Sequence, residues 1–174
     1  MAIKHAFVSP KSDGADDTLV RPSNWNADHV DVKPSCRVYH NVSQNIPNIT
    51  WTILAFNSEK WDTDAMHDLV TNNERITCKV AGKYLCEGVA RFSANATGAR
   101  HVGIRKNGSW SDSAYAVLPA VSDQPIRVLV SIVCELAVND YITMSVYQNS
   151  GATLTTDYVA NSDFCWMAMI KLSD

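Results

Sequence analysis

Residues 126–147 constrain the fold more than any other part of the chain, because apolar residues recur there at every second position. The apolar set is Ile126, Val128, Val130, Ile132, Cys134, Leu136, Ile142, Met144 and Val146. A period of two places them on one face of an extended chain. Residues 137–140 have the composition of a turn, because Asn139 tolerates a left-handed backbone and Asp140 can bond neighbouring amides. The segment therefore predicts a long β-hairpin with one face in a core.

The opposite face of the same segment is only partly polar. Leu129, Val133 and Tyr141 alternate there with charged and hydroxyl-bearing residues. Such a face is too apolar to be simply solvated, so we expect it to be a second buried surface.

Short apolar or alternating runs, separated by turn residues, continue through the chain after Cys36. The other predicted strands cover residues 37–42, 50–56, 75–80, 83–92, 101–106, 113–118, 153–159 and 164–172. Asn107-Gly108 is the strongest two-residue hairpin signal, whereas residues 57–68 resemble a surface loop or a short irregular strand. Without a convincing helical stripe, the pattern predicts an all-β jelly-roll β-sandwich of about eight to ten antiparallel strands.

Residues 1–34 differ in composition and periodicity from the chain that follows. They contain Pro10, Pro22 and Pro34, short apolar islands and no sustained periodicity. Such a segment cannot build a core of its own, which predicts an extended N-terminal arm over residues 1–34 and a head domain over residues 35–174. Trp25 in this arm either packs back on its own domain or docks on a partner.

Composition and charge exclude several classes of protein. The chain has 174 residues, of which 46% are hydrophobic and 19% charged, as in a single globular domain. The net charge of -3 comes without a basic block, so we expect no nucleic acid as a partner. No apolar run approaches the length of a membrane span, and the N-terminus lacks the apolar core of a signal peptide. We therefore expect synthesis in a cytoplasm and no membrane insertion.

The sequence contains no recognisable catalytic or cofactor-binding motif. The five histidines are scattered, without a His-x-His or His-x-x-x-His pair, and no Gly-x-Ser-x-Gly, phosphate loop or Rossmann fingerprint is present. The five cysteines form no CxxC pair, which favours buried, reduced thiols. We expect no catalytic residue, no cofactor and no metal.

An acidic run leaves an alternative open. It contains Glu59, Asp62, Asp64 and Asp68. Two of these carboxylates could form a glycosidase pair, and alternating aspartates could bind calcium, but the run lacks the glycine and terminal glutamate of an EF-hand. A solvated loop accounts for it as well.

Three aromatic residues lie in polar, turn-rich contexts, namely Trp61, Trp110 and Tyr115. Exposed aromatic rings there could stack on sugar rings or contact a protein partner, such as a host surface glycan or protein. Alternatively, they pack over the ends of the sandwich.

Three segments, in this order, resemble the trimeric jelly-roll family of tumour necrosis factor and the globular heads of the complement q subcomponent. They are ITCKVAGKYLCEGVARF (residues 76–92), LAVNDYITMSV (136–146) and SDFCWMAMIKL (162–172). Asn139 replaces a glycine of the family pattern, and Trp166 stands where the family usually has glycine. The resemblance implies a homotrimer in which the strand face opposite the core lines the threefold axis. The matching positions are Leu85, Leu129 and Phe164; the alternative is that a loop or the other sheet covers them.

Residues 2–30 resemble the N-terminal leader of many bacteriophage tail-fibre and other virion surface proteins. The Pro-Ser-x-Trp-Asn element of that leader matches Pro22, Ser23, Trp25 and Asn26. The resemblance implies a non-enzymatic virion structural protein, a fibre or decoration knob at the virion surface, whose arm attaches it to a capsid, tail or fibre protein. The anchoring residues would be Phe7, Arg21, Pro22 and Trp25. The alternative function is a carbohydrate-binding, lectin-like module.

Overall fold

The computed structural model describes residues 2–3, 8–16, 18, 21–26, 29–30, 33–122, 124–157 and 164–174. The chain divides into two compact units, Met1–Lys33 and Pro34–Asp174. In the first unit, β1 (Ala2–Ile3) pairs antiparallel with β2 (His29–Val30), and α1 (Pro22–Asn26) is a single helical turn. Asp13 accepts hydrogen bonds from the backbone amide and hydroxyl of Ser23, which holds the start of this turn.

The second unit is built from strands. In chain order they are β3 (Ser35–Tyr39), β4 (Asn45–Ile46), β5 (Thr52–Ile53), β6 (Ser58–Asp62), β7 (Arg75–Thr77), β8 (Gly82–Phe92), β9 (Ala99–Lys106), β10 (Ser109–Pro119), β11 (Ile126–Leu136), β12 (Tyr141–Gln148), β13 (Leu154–Thr155) and β14 (Trp166–Ser173). Eight of these described strands have five or more residues. The predicted all-β jelly-roll sandwich is confirmed.

Two antiparallel sheets face each other. The first, which we call the β8 sheet, has the strand order β11-β8-β14-β3-β6. The second, the β9 sheet, has the order β10-β9-β12-β5, with β7 also paired to β12. A short ladder of β13 and β4 lies apart from both sheets. This arrangement buries one face of each large sheet and leaves the other face directed outward.

The facing sides of the two sheets form one apolar core. Tyr84, Cys86 and Phe92 of β8 are fully buried in it, as are Met144 and Val146 of β12. Each such side chain contributes on the order of 2 kcal/mol by leaving water. All five cysteines are buried and free, which confirms the sequence interpretation of small reduced thiols.

The predicted hairpin over residues 126–147 is wrong. β11 pairs with β8, whereas β12 pairs with β9, β7 and β5 in the opposite sheet. The turn between them therefore carries the chain from one sheet to the other. Asn139 has the expected left-handed backbone with φ of 74°, and Asp140 accepts a hydrogen bond from the amide of Ala137. A period of two fixes which face of a strand is buried but not which strand lies beside it.

Other local predictions differ in outcome. The Asn107-Gly108 hairpin is confirmed, because β9 and β10 pair across it and both residues have positive φ. The region expected to be a loop or irregular strand contains β6, which pairs with β3. The predicted strands over residues 50–56 and 153–159 shrink to the two-residue strands β5 and β13 within the described residues.

Candidate functional site

The outward face of the β8 sheet carries an unusual number of apolar side chains. Its members, which we call the outer apolar face, are Leu85, Val89, Leu129, Val133, Trp166, Ala168 and Ile170. Register places them in rows across three strands. Val133 lies opposite Leu85, which lies opposite Ile170. A second row runs from Leu129 through Val89 to Trp166.

In both rows, the side chains on the edge strand β11 are the most exposed. Leu129 and Val133 are each 58% exposed, whereas Leu85 and Ile170 are half-buried. A leucine and a valine that are this exposed on a regular strand have little described structure over them. The described residues therefore leave the expected second buried surface largely exposed.

Polar groups lie both within the outer apolar face and at one end of it. In the row between the two apolar rows, the Ser131 hydroxyl donates a hydrogen bond of 3.3 Å to the carboxylate of Glu87. The guanidinium groups of Arg91 and Arg127 lie 4.2 Å and 4.3 Å from the ring centroid of Phe164. Arg91 also forms an ion pair with Asp157 at 3.3 Å. Phe164 precedes β14 and is half-buried between these two cations.

The three residues assigned to a threefold interface thus lie on one side of the second unit. Leu85 and Leu129 belong to adjacent strands of the β8 sheet, and the arginines that contact Phe164 are Cα partners in those same strands. The role of these residues in an interface remains a prediction.

The three aromatic residues assigned to receptor contact do not form one site. Trp61 lies on β6 of the β8 sheet, where the guanidinium of Arg37 is 5.8 Å from its ring centroid. Trp110 and Tyr115 lie on β10 of the β9 sheet. Trp110 and Tyr115 belong to a larger cluster of aromatic rings.

That cluster, which we call the aromatic patch, consists of Trp51, His101, Arg105, Trp110, Tyr115 and Tyr147. Trp51 is at its centre, 4.7 Å from Trp110 and 5.4 Å from Tyr147 between ring centroids. His101 Nδ1 and the Tyr115 hydroxyl share a hydrogen bond of 2.7 Å. Sequence reasoning missed Trp51, His101, Arg105 and Tyr147. The alternation of His101 and Arg105 outward from buried Val102 and Ile104 was the available signal.

A glycine and a strand irregularity position Trp110. The register of β10 against β9 shifts between Ser109 and Ser113, and Trp110 lies in that bulge. Its indole folds back over Gly103, where the Cβ of any other residue would lie 2.6 Å from ring atoms Cη2 and Cζ3. Gly103 therefore leaves the space that the Trp110 indole occupies.

The residues assigned to the virion anchor fall mostly at the limit of what the structure describes. Phe7 lies outside the described residues, and for Trp25 only the backbone, within α1, is described. Arg21 and Pro22 are half-buried, and the Arg21 amide donates a hydrogen bond to Asn24 Oδ1.

The carboxylates of the acidic run accept hydrogen bonds from groups of the same loop. Asp62 accepts hydrogen bonds from the backbone amides of Asp64, Met66 and His67 at 2.9–3.2 Å. His67 Nδ1 is 2.9 Å from a carboxylate oxygen of Glu59. Asp68 accepts from two backbone amides further along, and these bonds lower the pKa of its carboxyl. The carboxylates are thus engaged in shaping the loop.

Changing Asp62 to alanine should destabilise the head domain by about 2 kcal/mol, because three backbone amides lose a charged acceptor. Chemical denaturation of both proteins measures this difference. Added calcium should leave the stability of the wild-type protein unchanged. A clear stabilisation by calcium that Asp62→Ala abolishes would instead show that the run is a metal site.

A cleft of about 420 Å³ adjoins this loop. Its lining includes His67, Asp68, Arg75 and Lys79. His67 Nε2 is 3.1 Å from the carbonyl oxygen of Asn73, so both ring nitrogens of this histidine are engaged within the chain. The cleft therefore presents charged groups without an accessible imidazole.

Two other kinds of feature are absent from the described residues. Among them, no three histidine, cysteine or acidic side chains are grouped so as to hold a metal ion. No helix in the described part of the chain is long and apolar enough to cross a membrane.

The fold is similar to that of two kinds of solved protein. Murine APRIL, in a crystal structure at pH 5.0, matches with a TM-score of 0.58 and 14% identity over 81% of this chain and 100% of that chain. The globular domain of the zebrafish complement 1qA protein matches with a TM-score of 0.52 and 15% identity over 82% of this chain and 100% of that chain. No protein-family model matches the sequence, and no curated protein sequence is detectably similar to it. The likeness shows a jelly roll of the tumour necrosis factor and complement q type.

Proposed function

We propose that this chain is the subunit of a non-enzymatic homotrimer, in which the outer apolar face packs against two further copies. The single observation that carries the proposal is the row of apolar side chains on an outward sheet face, with Leu129 and Val133 more than half exposed. Full burial of such a side chain contributes about 1.5–3 kcal/mol. In a threefold-symmetric trimer, each of the three subunits would bury its own outer apolar face.

The likeness of the fold to murine APRIL and to the zebrafish complement 1qA domain supports the choice of a trimer over other assemblies. The resemblance noted in the sequence implies that the strand face opposite the core lines a threefold axis, and the matching positions are Leu85, Leu129 and Phe164. Arg91 and Arg127 around Phe164 would then form a polar rim to the interface.

The biological setting that we propose is a bacteriophage particle. The trimer would be a fibre or decoration knob at the virion surface, made in the host cytoplasm, with its head available for host adhesion. Its arm would attach it to a capsid, tail or fibre protein through Phe7, Arg21, Pro22 and Trp25. The support for this setting is the likeness of residues 2–30 to virion-protein leaders.

Deleting residues 1–33 tests the anchoring role. The boundary between the two compact units falls after Lys33, so the truncated head should keep its fold and its subunit number. We expect it to be missing from phage particles assembled in its presence, whereas the full chain should be incorporated. Quantitative immunoblotting of purified particles measures both. Equal incorporation of the truncated and full-length chains would contradict the anchoring role.

A further inference from the structure

The aromatic patch lies on the outward face of the β9 sheet, on a different sheet from the outer apolar face. Trp110 is 40% exposed and Tyr115 is 53% exposed. The rings of Trp51 and Trp110 are inclined at 61° to each other, so they form adjoining walls and not a parallel stack. A ligand can therefore stack on these rings without a conformational change in the protein.

Arg105 gives the patch its chemical character. Its guanidinium carbon lies 4.0 Å from the centroid of the Trp110 ring and 5.6 Å from that of Trp51. Its Nε is buried without a hydrogen-bond partner among the described residues. Stacking uses the flat face of a guanidinium and leaves its in-plane N–H groups able to bind an anion, for which a carboxylate is the matching shape.

Charge on the surrounding sheet face matches that of an acidic ligand. The outward strand positions include Arg75, whose guanidinium lies 4.9 Å from the Tyr141 ring, as well as Arg105. The strands of the β9 sheet contain one acidic residue, Asp112 in the bulge of β10, and its side chain lies outside the described structure. These two arginines and the one acidic residue give the strands a small local excess of positive charge, whereas the whole chain has a net charge of -3.

From this geometry we infer that the aromatic patch binds a carboxylate-bearing saccharide. The C–H face of a pyranose would stack on Trp110 and Tyr115, the sugar carboxylate would bind Arg105, and the pair formed by His101 and Tyr115 would hydrogen-bond to hydroxyls. A few oriented polar groups among aromatic walls are the usual composition of a ligand site. The inference rests on the proposed host-adhesion role, to which it gives a ligand class.

A single-stranded nucleic acid also combines rings with negative charge. Its affinity, however, comes from many phosphate contacts, and this face offers two arginines. An acidic saccharide needs one carboxylate contact for each stacked sugar. The patch offers one guanidinium for this contact, that of Arg105, beside the indole rings of Trp51 and Trp110. The saccharide is therefore the better match.

Titration of the full chain with oligogalacturonate, oligoalginate and oligosialic acid, followed by tryptophan fluorescence and calorimetry, tests the inference. At least one of these acidic probes should bind about tenfold or more tightly than neutral maltohexaose, a difference of ~1.4 kcal/mol. Arg105→Gln should remove this preference, and Trp110→Ala should weaken binding about tenfold.

Two further variants separate a binding role from a structural one. Gly103→Ala touches no ligand but displaces the Trp110 indole, so it should weaken binding as Trp110→Ala does. Trp61→Ala is the matched control, because Trp61 is 41% exposed but lies on the β8 sheet, and binding should not change. The subunit number of every variant should equal that of the wild type, which keeps this test apart from that of the proposed trimer.

Three outcomes would overturn the inference. They are the lack of any binding by the three acidic probes at millimolar concentration, binding that survives both Arg105→Gln and Trp110→Ala, and tighter binding of an oligothymidylate than of every saccharide. The last result would assign the patch to single-stranded nucleic acid.

Discussion

Replacing Leu129 with glutamate is expected to convert the proposed trimer into monomers. Leu129 projects from the edge strand of the β8 sheet and is 58% exposed in the single chain, so the monomer tolerates a charge there. In a trimer the same position would bury a carboxylate among apolar side chains, at a cost of about 3–5 kcal/mol per site where no cation pairs with it. The double variant with Val133→Glu should dissociate even at high protein concentration. Light scattering gives the mass of each variant, and circular dichroism confirms that each remains folded.

Leu118→Glu is the matched control for this experiment. Leu118 is 44% exposed near the end of β10, in the β9 sheet, so this variant makes the same change of side chain at a site outside the outer apolar face. It should leave the mass of the assembly unchanged. Dissociation by Leu118→Glu as readily as by Leu129→Glu would show that added charge, and not the position of the face, separates the subunits.

Lowering the pH from 7 to 4 is expected to destabilise the head domain by about 3 kcal/mol through one buried histidine. His40 is 2% exposed, and burial lowers its pKa from 6.5 to about 4. Its Nδ1 is 2.7 Å from Gln44 Nε2, whose amide hydrogen it accepts in the neutral form, and its Nε2 is buried without a partner among the described residues. Protonation would turn Nδ1 into a donor that faces the donating amide of Gln44, and the hydrogen bond would be lost.

The direction of this pH effect follows from proton binding. Above pH 6.5 His40 is neutral in both folded and unfolded chains, so it adds no pH dependence. Between pH 6.5 and about 4 the unfolded chain binds a proton that the folded chain does not. The free energy of unfolding therefore falls as the pH falls through this window, and the loss from His40 is complete below about pH 4.

Chemical denaturation at a series of pH values, at fixed protein concentration, measures the slope for the wild type and for His40→Leu. The leucine variant should lose the part of the slope between pH 6.5 and 4 that comes from His40, and a slope of the same sign should remain from His101, whose pKa is also lowered by burial. Hydrogen bonds lower the pKa of the Asp68 and Asp140 carboxyls, so the stability that these two groups contribute is lost mainly below this window. An unchanged slope in His40→Leu would show that His40 is protonated in the folded chain or that other groups control acid stability.

The sequence predicts the faces of strands well, because alternation is a local property. Val128, Val130 and Leu136 are buried and Leu129 and Val133 are exposed, as the period of two requires. Strand partners are different, since pairing depends on the path of the whole chain. The segment that contains β11 and β12 has the alternation of a hairpin, yet its two strands belong to different sheets.

The aromatic patch shows the same limit for sites. Trp51, His101 and Trp110 come from three separate segments, and only the pairing of β5, β9, β10 and β12 brings them together. From the sequence, Trp110 and Trp61 are equivalent aromatic residues in polar surroundings. The packing of Trp110 over Gly103 becomes visible only when the bulge in β10 is known. Asp62 likewise resembles a metal ligand in sequence until its three amide partners are seen.

Light scattering of the purified wild-type chain, over a wide range of concentrations, is the most direct test of the assembly proposed for this fold. We predict a single species with the mass of three chains of 19.2 kDa, which persists on dilution and also forms without residues 1–33. Such a result would assign Leu85, Leu129 and Phe164 to an interface. A species with the mass of one chain at every concentration would contradict the trimer and leave the outer apolar face exposed to solvent.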